Sequence, residues 1–174
     1  MSVIHIRDRQ DMLEISFEDI CKYHGGVALM AVAVGFRSLQ VAFEELFGNE
    51  IPERKSISIF SGHGGPGFRD AFEYVTRAVT RGAYHVDTAY PVGQYDPFRP
   101  QSYAFVISSE AGASVEITLN DHFLPMAFYE YLKKGREETM TEADINIFKV
   151  LKQSLAEEAL ATPLEELFTI RRIQ

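Results

Sequence analysis

Between the glycine pair Gly25–Gly26 and Arg37 lie ten residues, Val27 to Phe36, without a single polar side chain. A helix made from them is apolar on every side. It must be surrounded, either through the centre of a domain or in a subunit interface. The run falls well short of the roughly 18 apolar residues that suggest a membrane span. Beyond it, Leu39, Ala42, Phe43 and Leu46 recur at helical spacing, and Gly48 suits a left-handed stop. The spacing predicts one helix over 27–47. A small domain rarely encloses such a helix alone, so the expectation is a homodimer.

The other elements must cover that helix. Ser16 and Asp19 form a capping box for a short helix ending at Gly25–Gly26. Ser56–Phe60 alternates as a strand does. Asp70-Ala71-Phe72-Glu73 reads as a second capping box, opening a helix that runs to Arg81 and stops at Gly82. Tyr84–Thr88 is expected to be a strand, residues 89–101 a proline-bearing loop, and 102–109 with 114–119 a hairpin. Helices are predicted over 125–134 and 142–161, the latter capped by Thr141, and Thr162-Pro163-Leu164-Glu165 signals one more helix start. Strands in a hairpin with helices gathered toward one end read as α+β. The fold expected is a mixed or antiparallel sheet packed by the long apolar helix. One domain spans 1–174, its helical extension at about 122–168 belonging to it.

The chain has 174 residues and a net charge of −8, with no cluster of Lys and Arg, which argues against nucleic acid as a partner. A single cysteine, Cys21, excludes an internal disulfide and fits a reducing compartment. The mixed-charge N-terminus does not resemble a signal peptide, so the expected location is the cytoplasm, with no membrane partner. Eight carboxylates against three bases between 136 and 168 read as a solvated helical face.

Two segments carry the candidate chemistry. Gly62-His63-Gly64-Gly65-Pro66-Gly67 contains the spacing of a dinucleotide loop, and Asp87 follows Gly67 by 20 residues, where such a fold places its ribose-binding acid. Pro66 removes an N–H that a pyrophosphate needs, Asp70 sets a carboxylate near the helix start, and a hairpin follows in place of further βα units. No dinucleotide is therefore expected; a nucleotide-binding domain using Gly62–Gly67 remains an alternative. A third possibility has the loop presenting His63 to a small ligand. Cys21-Lys22-Tyr23-His24 sets a thiol and an imidazole three residues apart on one helix face, both suited to a transition metal. The competing explanation is a buried cysteine with a capping histidine. The glycines flanking both His24 and His63 allow close approach. A divalent metal, zinc foremost, held by Cys21, His24 and His63 is the expectation these residues support.

Several of these segments also resemble one family. Tyr23-His24-Gly25-Gly26 is similar to the opening of the aromatic-His-Gly-His-x-Cys-Pro-Gly hallmark of the FmdE family, which takes its name from a component of formylmethanofuran dehydrogenase. Gly35-Phe36-Arg37 resembles its helix signature, Asp70-Ala71-Phe72-Glu73 its second hallmark, and Pro163-Leu164-Glu165-Glu166-Leu167-Phe168 its closing segment. The family's second histidine and its cysteine are missing here, where Gly26, Val27 and Ala28 stand, and the four cysteines of its zinc finger are absent. The resemblance implies an α+β core, dimerisation and a polar cleft around His24, with Tyr23 and Asp70 beside it. The leading expectation is an FmdE-like domain binding a transition metal or small polar ligand through His24, His63, Asp70 and Tyr23. The alternative is a non-catalytic accessory subunit of a redox enzyme complex, docking through the apolar helix.

Overall fold

The computed structural model describes residues 2–173. The fold is α+β, with a five-stranded mixed sheet, a two-stranded antiparallel sheet and a helical region toward the C-terminus. The chain opens on a hairpin of β1 (Val3–Asp8) and β2 (Asp11–Ser16). It continues through α1 (Phe17–His24) into α2 (Leu29–Phe47). Strand β3 (Ile57–Ser61), α3 (Pro66–Thr76) and β4 (Tyr84–Val86) form one parallel crossover unit. The hairpin of β5 (Ala104–Ser109) and β6 (Ser114–Leu119) then adds antiparallel to β3. After α4 (Met126–Glu137), α5 (Glu142–Ala161) and the single turn α6 (Leu164–Leu167), strand β7 (Phe168–Arg172) returns to pair with β6. The sheet order is β4-β3-β5-β6-β7.

Helix α2 is the central element. Met30 to Phe36 are all buried, and α2 packs against α3, α5, α1 and strands β5 and β6 of the same chain. No second copy is needed to bury this helix, because the chain encloses it unaided. The close fit of α3 on α2 depends on two small positions. A methyl placed on Gly67 would lie 2.6 Å from the Ala31 Cβ, and one on Gly35 would lie 2.9 Å from that of Ala71. Arg37, where the apolar run ends, turns to α5. Its Nε donates to the Ala159 carbonyl at 3.1 Å and its Nη2 to that of Thr162, satisfying acceptors that a helix C-terminus leaves open.

Several boundaries differ from expectation for identifiable reasons. Helix α3 starts at Pro66, not at Asp70, because proline needs no N–H partner in a first turn and its φ is already helical. Asp70 consequently lies in the second turn and caps nothing. The same helix stops at Arg77, which takes the left-handed conformation with φ 58°, well before Gly82. The expected C-terminal helix contracts to α6, and the residues after it form β7, where Arg171 pairs across the strands with Glu116 at 3.1 Å. The capping boxes at Ser16–Asp19 and Thr141–Asp144 are both present. Among the described residues, no helix is long and apolar enough to cross a membrane.

Candidate functional site

The expected site residues separate into two environments. His24 closes α1, and its Nδ1 lies 2.7 Å from the Asp70 Oδ2 on α3. Its Nε2 accepts the backbone N–H of Ala28, just before α2, at 3.1 Å. An N–H can only donate, so Nε2 carries no proton, and Nδ1–H is the donor to Asp70. The imidazole side chain is 4% exposed. One ring thus ties α1, the glycine linker, α2 and α3 together, and the bare Gly25–Gly26 segment lets the chain turn tightly around it. The other Asp70 oxygen receives Arg69 at 3.2 Å.

His63 lies on the loop between β3 and α3. Its Nδ1 accepts the Gly65 N–H at 2.8 Å, and its ring packs 4.7 Å from the Phe68 ring and 4.8 Å from that of Tyr103. Burial, reinforced by the positive charge of Arg99, pushes its pKa down to about 3, so the ring stays neutral. Cys21 packs half-buried against the core, and burial together with Glu18 raises its thiol pKa, which disfavours the thiolate a metal requires. Among the described residues, no three His, Cys, Asp or Glu side chains gather in a way that could hold a metal ion. The three groups do not fit zinc as they stand. His24 has no free nitrogen, His63 has one already bonded, and the Cys21 thiol is protonated.

The Gly62–Gly67 loop is equally committed. Gly62 N–H donates to the Ala104 carbonyl, His63 N–H to Ser61 Oγ, Gly64 N–H to Gln101 Oε1 and Gly65 N–H to His63 Nδ1. Pro66 has none to give. A phosphate cradle needs such donors aimed outward, and here four in succession turn inward. The glycines serve packing: a methyl on Gly62 would meet the Ser102 Cβ at 2.3 Å.

Tyr23 leads to the more open geometry. It lies on the last turn of α1, beside His24, with its ring 5.5 Å from that of Tyr74 on α3. Asp70, Tyr74 and Arg77 follow one face of α3 at i, i+4 and i+7, so the His24–Asp70 bond and the tyrosine pair belong to one α1–α3 seam. The seam opens into a cleft of about 620 Å³, whose far wall is Leu13–Ile15 of β2. Among the described residues strand β2 pairs only with β1, and every second residue of such an edge turns its N–H and C=O outward. Glu73 is held there by the N–H and Oγ1 of Thr80 and by Arg77 at 3.6 Å. Arg54 reaches the same wall, but its guanidinium is spent on the Tyr74 and Val75 carbonyls at the end of α3. Arg77 is half-exposed at the mouth of the cleft, paired with Glu73. Of these groups only Tyr23 and Asp70 are identifiable from sequence. The helical spacing of Asp70, Tyr74 and Arg77 is the available signal, and placing the helix start at Asp70 conceals it.

No protein-family profile matches this chain, and no curated protein matches it in sequence.

Proposed function

We propose that this chain binds a small polar organic molecule with a flat ring, in the cleft between α1, α3 and the open edge of β2, and that His24 shapes the cleft rather than holding an ion. The observation that carries this reading is the α1–α3 seam. Two adjacent residues of α1 divide the work, with His24 locking the seam and Tyr23 fronting the opening. Tyrosine rings offer a face for stacking, worth about 0.5–1.5 kcal/mol beyond buried area. Arg77, Glu73 and the strand edge offer charges and backbone groups to fix a polar ligand's orientation. The resemblance of segments between 23 and 168 to an FmdE-like domain is in keeping with a polar cleft that Tyr23 lines.

Saturation-transfer NMR tests the proposal on a mixture of nucleobases, nicotinamide and aromatic amino acids. Hits are expected to saturate, and to vanish in Tyr74→Ala and weaken in Arg77→Gln. Hits that survive both substitutions, or no hit in any class, would refute it.

A second reading, an interaction subunit or homodimer, is favoured by one feature. Ala143, Ile147, Val150 and Ser154 form an outward stripe on α5, with Ile147 and Val150 at 54% and 67% exposure. Sedimentation of the wild type against Val150→Glu distinguishes the two, since a dimer through α5 would dissociate.

A further inference from the structure

A second cavity, of about 420 Å³, opens between α4 and α5. Tyr131 and Phe148 form its floor, with rings stacked 5.3 Å apart at 20°, and Met140 extends it. Three cations from three different elements surround that floor: Arg99 from the loop before β5, Arg136 from α4 and Lys152 from α5. No Asp or Glu lines the cavity, although the chain carries a net charge of −8.

The state of each cation matters. Arg99 is held at 3.3 Å by Asp96, whose side chain is fully buried. Arg136 makes no ion pair among the described residues, and its guanidinium is exposed. Lys152 donates to the Val27 carbonyl at 2.8 Å and sits 4.5 Å above the Phe148 ring. That leaves two of its three ammonium protons to direct elsewhere. A basic residue in the last turn of α4 is favoured by the helix dipole, which accounts for Arg136 alone. It does not account for three cations converging on one aromatic floor.

We propose that this cavity binds a small organic anion, with its apolar body against the Tyr131–Phe148 pair and its carboxylate or phosphate head between Arg136 and Lys152. The aromatic floor selects against a bare inorganic ion, and the absence of an opposing carboxylate selects against a neutral or cationic ligand of the same shape.

Isothermal titration of the full chain with 1-naphthylacetate tests this, with its neutral amide, 1-naphthyl phosphate and inorganic phosphate as further arms. The acid should bind saturably and its amide at least about tenfold more weakly, which is the worth of one charge-assisted hydrogen bond. Arg136→Gln and Lys152→Gln should each weaken the acid by about threefold, the same loss spread over two partners. Lys149→Gln, on the same helix but outside the cavity, and Tyr74→Ala, in the other cleft, should leave it unchanged. Tighter binding of 1-naphthyl phosphate or of the acid tells which head the cations prefer, and either belongs to the proposed class. Arg136 is exposed, so its variant should fold even if Lys152→Gln does not. Equal affinity for acid and amide, no effect of Arg136→Gln, or inorganic phosphate binding as tightly as the acid would each overturn the proposal.

Discussion

Acidifying the protein from about pH 7.5 to about pH 5 should remove about 2 kcal/mol of stability through His63 alone. The residue is 7% exposed, its ring faces Phe68 and Tyr103, and its Nδ1 is saturated by the Gly65 N–H. Burial holds its folded pKa at about 3, against 6.5 for an unperturbed ring. The unfolded chain therefore takes up a proton that the folded chain refuses. This stability is fully present above the unfolded pKa and is lost as pH falls from there toward the folded value. Each pH unit in that window costs about 1.4 kcal/mol, which gives the figure of about 2 by pH 5. Urea unfolding at the two pH values should show it, in wild type and in His63→Gln, whose amide oxygen can accept the same N–H. His5, His24, His85 and His122 are common to both proteins and cancel. The variant should start less stable at neutral pH but lose about 2 kcal/mol less on acidification. Equal losses in the two proteins would mean that His63 is not kept neutral by burial, and the reasoning would fail.

Two further substitutions test the seam and the helix packing. Asp70→Ala leaves the buried His24 Nδ1–H without an acceptor and should cost about 1–3 kcal/mol, whereas Asp70→Asn retains an oxygen and should cost less than half as much. Identical melting temperatures for the two variants would show that the bond does not hold α1 to α3. Gly67→Ala should destabilise by about 1–3 kcal/mol despite better helix propensity, because neither the Ala31 nor the Ala28 methyl can swing away. Gly135→Ala, with nothing within 4 Å of the added methyl, should be neutral or stabilising; the opposite order would contradict the close α2–α3 contact.

How far the sequence reveals this fold depends on whether the governing contacts are local. The Ser16–Asp19 cap, the α2 stop at Gly48 and the β5–β6 hairpin rest on neighbours a few residues apart, and their residue types announce them. The β1–β2 hairpin carries alternation in Ile4 and Ile6, but its turn lacks the usual Gly or Asn. Arg9 takes the left-handed position instead, with φ 62°. Strand β7 is concealed because it follows a helix start signal and pairs with residues some fifty positions earlier, as Arg171 does with Glu116. The candidate site divides the same way. His24, Tyr23 and Asp70 stand out as residues, but the 46-residue span of the His24–Asp70 bond is a tertiary fact. So is the packing of the His63 ring against Phe68 and Tyr103, which its neighbours in sequence do not announce. The cationic cavity has no local signature, because its three cations come from separate elements.

The most direct test of the central claim, that His24 is an architectural residue beside an organic-ligand cleft, is a zinc titration followed through the histidine side-chain nitrogens by long-range ¹H–¹⁵N NMR. His24 is predicted to show a protonated Nδ1 and an unprotonated, hydrogen-bonded Nε2, and stoichiometric zinc should leave the His24 and His63 signals where they were. Coupled shifts of both rings at one equivalent of zinc, abolished by Cys21→Ala, would contradict the claim and restore a metal centre at these three residues.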